Sequence, residues 1–457
     1  MKELFLSIVL IVMIYPITIA QNLPATPKLI SSVPAFGDCN VDTGAIDIIF
    51  KFDQDMNSGI TFGKTSNFPE LNGKPKWIDT KTLLLPVRLY PNKRYSLVLN
   101  NTYPMRFASA LGMTLNPQEL LFQTKPDNSN VKPSQKSNLN IKAFQEFQTF
   151  FPKEYSYASM RGIDWNVILK KNRNELEKAQ SGSEFAIKLD RLLRIAEDPH
   201  LSIVFDGQLL PTKYLNAVEY NYNNKAVCGM LKDLKVAGNN SIFAGIIGNV
   251  GYISIGSWTI DPNMLKYKAI GDTSNTEASF DEVLTILTKL PNLIVDVRSN
   301  SGGNEVFAKD FASRFINKSL PYEKVMNYND KTCLFDIEHT KTLEPSTKQM
   351  NYTGKIYVLT GPSVFSSNES FVLMMKQVQN AKLVGMKTYG GSGNPIPHKL
   401  SNGVIVNLPS WLAYTLDGKL IEGNGVEPDI EFKTTKKDFV TKDALLESVL
   451  MMINKKD

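Results

Sequence analysis

Among 457 residues only three imidazoles occur, His200, His339 and His398. Any general base that titrates near neutral pH must be sought there first. A hydroxyl suited to nucleophilic attack lies in Gly361-Pro362-Ser363-Val364-Phe365-Ser366-Ser367-Asn368-Glu369-Ser370-Phe371. An apolar strand-type run, Lys355 to Thr360, precedes it, and Phe371 to Val378 follow with helical spacing. Ser366 therefore falls at a strand-to-helix turn, which lifts a side chain out of a sheet and brings helix N–H groups beside it. Ser366-Ser367-Asn368-Glu369 also has the form of a capping box, in which Ser366 only starts the helix. Nucleophilic hydrolysis needs a hydroxyl, a base, a group that orients the base, and donors for the developing oxyanion. His200 follows Asp198-Pro199 at a helix-to-strand junction, where, taken alone, a structural role is the readier reading. His339 lies in the polar run Asp336-Ile337-Glu338-His339-Thr340-Lys341 and His398 in a proline-bounded loop. Gly302-Gly303 follow the buried-type strand Leu293 to Val297 and expose N–H groups at a helix start. They read as an oxyanion site or as a tight turn. A phosphate loop is disfavoured, because no Lys-Ser/Thr pair follows the glycines. No HExxH or CxxC pattern occurs, so no metal and no cofactor is expected.

These residues need rigid elements to hold them. Residues 25–125 read as short strands parted by Gly, Pro and Asn turns, the pattern of a β-sandwich. Residues 126–140 are polar and Pro/Ser/Asn/Lys-rich, a linker. Residues 141–205 show apolar side chains at i+3/i+4 spacing (Leu169, Leu176, Phe185, Leu189, Leu192, Leu193), a helical layer packed by Trp165, Tyr155 and Tyr157. Residues 206–457 alternate strands and helices with glycine turns at strand ends, where sites of α/β folds lie. The expected fold class is multidomain: an N-terminal β-sandwich, a helical layer, and an α/β core.

A length of 457 exceeds one ordinary core, and 42% hydrophobic with 21% charged residues excludes a disordered chain. A net charge of +6 without a basic stripe argues against nucleic-acid binding. Residues 1–20 combine a short charged start, an apolar middle and Ala20, which reads as a signal peptide cleaved before Gln21. An uncleaved anchor is the alternative, though Pro16 and the shortness of the run oppose a full span. No other run is long enough to cross a membrane. The expected location is periplasmic or extracellular. Cys39, Cys228 and Cys333 are too few for a disulfide framework, and no bridge is expected.

Four segments occur in one order: Ile294 to Gly303, Ser363 to Glu369, Val384 to Pro395, and Ile421 to Ile430. With Asp198-Pro199-His200-Leu201 ahead of them, the chain from about Ile141 onward resembles the tail-specific (C-terminal-processing) serine peptidases. The family's Ser/Lys branch carries its base 25 residues after the serine. Here that position is Gly391, within Tyr389-Gly390-Gly391-Ser392, so that base is missing. The resemblance then implies the tricorn-like Ser/His/Glu branch. Ser366 would be nucleophile, His200 base and Glu422 the supporting carboxylate, with Glu427 and Asp429 as rivals for the last role. Ser367 and Gly302 or Gly303 would form the oxyanion hole, and the substrate would be a protein or peptide. Residues 206–245 are too few for the PDZ domain that many members carry, which puts recognition of free C-termini in doubt. Residues 25–125 resemble the bacterial immunoglobulin-like modules fused to exported enzymes. An endopeptidase is the leading expectation. A non-catalytic ligand- or protein-binding member on the same fold is the alternative, and a surface interaction protein acting through the sandwich is a third. The oligomeric state is not legible from the sequence.

Overall fold

The protein's structure, a computed structural model, describes residues 26–63, 65, 67–100, 107–113, 115–125, 136–210, 220–237, 242–258, 280, 283–329, 331–348 and 350–455. The leader read as a signal peptide lies outside the described residues. The chain divides into two units, Met1–Pro126 and Asp127–Asp457.

The first unit holds β1 (Leu29–Val33), β2 (Gly44–Phe52), β3 (Phe62–Gly63), β4 (Glu70–Leu71), β5 (Lys76–Trp77), β6 (Thr82–Leu89), β7 (Arg94–Leu99) and β8 (Gln118–Gln123). One sheet runs β1-β2-β6-β4 with β5 also on β6, the other β3-β7-β8, and all these pairs are antiparallel. Alternate residues point inward, as a period of two requires. Ile48, Phe50 and Phe52 of β2, Leu83, Leu85 and Val87 of β6, and Leu97 and Leu99 of β7 share one apolar cluster. This unit is β-rich, with two sheets closing on a common core.

In the second unit three helices come first, Lys136–Glu154, Trp165–Glu177 and Gly182–Leu193. The first helix starts inside the stretch read as linker, because the apolar spacing begins only at Ile141 while its polar first turn carries no pattern. Asp164 and Ser181 cap the second and third helices by accepting from Val167 N–H and Glu184 N–H. Then come β9 (Ser202–Phe205), β10 (Gln208–Leu209), a helix Asn224–Met230, β11 (Lys232–Ala237), β12 (Ile242–Ile247), β13 (Val250–Ile255), β14 (Asn292–Asp296), a helix Glu305–Ser313, β15 (Leu320–Asn329), β16 (Leu334–Leu343) and β17 (Lys355–Thr360). The helix Ser367–Lys376, β18 (Ala381–Gly385), β19 (Ile396–Lys399), β20 (Ile405–Leu408), β21 (Trp411–Tyr414), β22 (Ile430–Glu431) and the helix Ala444–Asn454 complete it.

The central sheet has the order β11-β12-β13-β14-β17-β18-β22, parallel from β13 onward. Its strands are apolar on both faces, because helices cover both. Leu293, Val295, Ile356 and Val358 pack with Phe307, Phe311, Phe371 and Val372 on one side. Ile294, Tyr357 and Leu359 pack with Leu445, Leu446 and Val449 on the other. Two smaller sheets, β10-β9-β20-β19 and β16-β15-β21, complete the unit. The ends of β14 and β17 lie side by side, with Asp296 paired to Leu359, which brings the Gly302-Gly303 loop beside the Ser366 turn.

Candidate active site

Ser366 ends the turn after β17 with φ +59° and ψ −131°, and its side chain makes no cap bond. An N-cap residue would sit in the extended region, so the capping-box alternative fails on backbone geometry. Positive φ on a non-glycine costs about 1–3 kcal/mol and persists only where the surroundings impose it. Here Ser366 N–H donates to Gly391 O at 3.0 Å, and Glu369 N–H donates to Ser366 O at 2.8 Å. The hydroxyl is thereby turned to His200, with Ser366 Oγ 3.0 Å from His200 Nε2.

His200 is delivered by the turn into β9. Its backbone N–H donates to Asp198 Oδ1 at 2.8 Å, and Asp198 Oδ2 accepts the Tyr155 hydroxyl at 2.8 Å. The imidazole stacks on Phe365 at 4.5 Å between centroids with 21° between planes. A Cβ on Gly391 would lie 2.0 Å from the Phe365 ring. The ring that steadies the histidine thus fills the space where a side chain at position 391 would begin. His339 sits on β16 with Asn327, and His398 stacks on Phe150 at 4.4 Å on β19. Neither is brought to Ser366.

Glu422 is 4% exposed. One oxygen pairs with Arg161 and the other accepts Ser392 N–H at 3.1 Å. Arg161 also lies 3.6 Å from Asp198, which accepts the His200 backbone N–H, so Glu422 is linked to the His200 backbone through Arg161 and Asp198. Burial, with the Asp198 charge adding to it, pushes the Glu422 carboxyl up to about 8, against the pull of Arg161. Glu427 stands on the surface, 3.7 Å from Lys387. Asp429 accepts Leu383 N–H at 2.9 Å and ties the end of the sheet. Of the three rival carboxylates, only Glu422 joins the cluster behind the histidine.

The glycine loop is clamped to the helix that starts at Ser367. Asn368 Nδ2 donates to Val297 O and Asn300 O (3.0 and 2.9 Å), while its Oδ1 accepts the Trp258 indole N–H at 2.9 Å. Gly302 N–H donates to Asn300 Oδ1 at 2.8 Å. That donor is committed, so of the two glycine N–H groups expected at the oxyanion site only Gly303 remains. Among the described residues neither Gly303 N–H nor Ser367 N–H has a protein acceptor. Gly302 contributes by lacking a side chain: at φ +104° a Cβ would lie 2.8 Å from Phe365 O, 2.9 Å from Ser366 Cβ and 3.3 Å from Ser367 N. Gly302→Ala is therefore expected to lower kcat on a peptide substrate by roughly 10²- to 10³-fold. Steady-state kinetics should show KM changing less than kcat.

Glu369 does not close a capping box. It is 1% exposed, and it accepts Thr388 Oγ1–H (2.5 Å), Gly390 N–H (2.9 Å) and Gly391 N–H (2.7 Å). It pins the loop whose Gly391 carbonyl holds Ser366. Burial raises its carboxyl to about 8 against those three donors. A folded-state pKa above the unfolded one means that the native state binds the extra proton. The stability from this group is full below about 4.5 and is lost as pH rises through about 8. Urea unfolding between pH 5 and 8 should show Glu369→Gln with a shallower decline than the parent, by on the order of a few kcal/mol across the range. The variant is also less stable throughout, since an amide NH₂ would face donors.

The sequence pattern carried no signal for Arg161, for the hydroxyls of Tyr155 and Tyr157, or for Phe365 as the ring against His200. Tyr157 donates to Ser392 O, fixing the residue whose N–H meets Glu422. A lone arginine in a loop has no periodicity to reveal it.

Several solved structures share this fold. A candidate peptidase from Parabacteroides merdae superposes with a TM-score of 0.57 at 20% identity, over 71% of this chain and 98% of that one. Mature CPAF gives 0.51 at 12% identity, over 70% and 97%. In sequence, the chain is 27% identical over 191 residues to a "Probable CtpA-like serine protease" of Staphylococcus epidermidis, 41% of this chain and 35% of that protein. It is 31% identical over 151 residues to the tricorn protease of Thermoplasma acidophilum, 33% of this chain and 13% of that protein. The chain thus spans about a third or less of the length of these relatives. Residues 249–432 match the model of Peptidase family S41, a segment that holds Gly302, Gly303, Ser366 and Glu422 and begins after His200.

Proposed function

We propose that this chain is an exported serine endopeptidase that hydrolyses peptide bonds in protein or peptide substrates through an acyl-enzyme. The observation that carries the reading is the 3.0 Å approach of His200 Nε2 to the Oγ of Ser366, on a residue held at positive φ. Ser366 Oγ attacks the scissile carbonyl carbon. Its proton passes to Nε2, which must be unprotonated beforehand, so that Nδ1 carries the resting proton. Ser367 N–H and Gly303 N–H receive the developing oxyanion. The imidazolium returns its proton to the leaving amine, the C–N bond breaks, and an ester remains on Ser366. Water, deprotonated by the same nitrogen, then releases the acid. Glu422 and Asp198, joined by Arg161, supply the negative charge that favours the imidazolium.

Gly391 and the Phe365 ring support the Ser/His/Glu branch over a lysine base. We further infer that the leader directs export. Among the described residues no helix is long and apolar enough to cross a membrane. The β-rich unit serves in this reading as an immunoglobulin-like spacer or docking module. Residues 206–245 are shorter than a PDZ domain, so this reading does not assign substrate choice to a bound C-terminus. A fluorophosphonate probe tests the core of this proposal: mass spectrometry should find one adduct, on Ser366, and none in Ser366→Ala. A folded parent protein that takes no label and cleaves no member of a peptide library would sink it and leave a binding protein on a peptidase fold.

A further inference from the structure

Behind His200 lies a group of charges larger than a triad. Asp198 and Glu422 are both nearly excluded from solvent, and the side chain of Arg161 stands between them, 23% exposed. One guanidinium nitrogen, Nη2, reaches both carboxylates. Each carboxylate also has a neutral partner. Tyr155 O–H donates to Asp198, and Ser392 N–H, held by Tyr157, donates to Glu422. Two buried like charges so arranged cannot both stay ionised without a cation between them. With Arg161 present the group carries a net charge of minus one once both carboxylates are ionised, which for Glu422 means above about pH 8. The proton that His200 takes from Ser366 brings it to zero.

Resting on the Ser366/His200/Glu422 assignment, we propose that Arg161 is a positioning residue of this active site. It bridges Asp198 and Glu422 and favours their ionised forms beside His200 as the imidazolium forms. It does not touch substrate. The titratable groups that face the cluster are Tyr155 and Tyr157 from the segment before it, Asp198 and His200 from the β9 turn, Glu422 from the loop before β22, and Glu369 from the helix beneath. The two tyrosines stay protonated, because burial raises them far above their ordinary range. Burial raises both carboxylates, and the nearby guanidinium opposes this in each. Removing the cation therefore lets one of them keep a proton to higher pH.

The test is the pH profile of kcat/KM for a peptide substrate, measured on the full chain. The acidic limb reports groups that must be deprotonated for activity. In Arg161→Gln that limb is expected to move to higher pH by about one unit or more, an extra loss of about tenfold at pH values below it. Arg161→Lys keeps the charge and should keep the limb in place with a smaller loss. In Arg161→Gln/Glu422→Gln the limb should return to or below its original position, since the group that held the proton is gone. A loss in Arg161→Gln that is uniform across pH, or no loss, overturns the proposal. Should Arg161→Gln fail to fold, the double variant carries the test, because it removes one buried charge of each sign. An upward-displaced limb there overturns the proposal. Fluorophosphonate labelling separates the two levels. If the parent is labelled on Ser366 and the limb stays put, the role of Arg161 alone falls. If the parent is not labelled, both fall.

Discussion

Ser366→Ala is expected to lower kcat/KM on a peptide substrate by roughly 10⁴- to 10⁶-fold, His200→Ala by a similar factor, and the double variant by no more than either alone. The non-additivity is the informative part. In the proposed mechanism a hydroxyl and an imidazole 3.0 Å apart act as one device, half of which would do almost none of the work. The residual rate in all three variants would come from the Ser367 and Gly303 donors and from substrate binding. Single-turnover kinetics should show the acylation step falling while substrate affinity holds. If the two losses multiplied, His200 would be acting somewhere other than on the Ser366 proton, and the proton path given above would be wrong.

The second large effect concerns stability. Arg298 is fully buried between Asp296 and Asp443, 2.6 Å from Asp296 Oδ2 and 2.9 Å from Asp443 Oδ1, and Nη1 also donates to Asn221 O. Asp296 further accepts the Tyr252 hydroxyl at 2.6 Å, and Asp443 caps the C-terminal helix by accepting Leu446 N–H at 3.0 Å. The guanidinium therefore joins the end of β14 to the helix that covers one face of the sheet. Arg298→Met leaves two desolvated carboxylates without their cation, and such losses cost about 3–5 kcal/mol. Urea unfolding followed by far-UV circular dichroism at a helix wavelength should register the loss, since all the described α-helices belong to the Asp127–Asp457 unit. A change below about 1 kcal/mol would mean that water reaches the pair once the arginine is gone. Activity should fall as well, because the same residue begins the loop that carries Gly302 and Gly303.

The sequence made the site legible where chemistry leaves a linear trace. One continuous apolar strand leads into a glycine pair and a later one into a serine before a helix, and these two local patterns pointed to the loop ends of β14 and β17. His200 was singled out as the base by the family resemblance, through its Asp-x-His motif, since the residues alone favoured a structural role. The backbone of Ser366 was not. Ser-x-x-Glu is written the same way for a capping box and for this strained turn, and only φ separates them. The commitment of Gly302 N–H to Asn300 was equally hidden, because nothing in a glycine pair says which N–H is free. Arg161, Tyr155 and Ser392 meet only through long-range folding, from segments 261 positions apart in the Arg161–Glu422 pair. No local pattern encodes such a meeting. The β-rich unit was readable from alternation and turns, whereas the start of the first helix at Lys136 was not, since a polar first turn resembles a linker.

The Phe365 ring over Gly391 has an evolutionary consequence. The Cβ of a lysine introduced at position 391 would fall on the Phe365 ring, so under the proposed mechanism a change from an imidazole to an amine as proton acceptor requires that ring to move or shrink. Either change takes from His200 the surface it leans on. On the proposed mechanism, intermediates along that path would have neither base in working order, which separates an imidazole-based site on this scaffold from a lysine-based one.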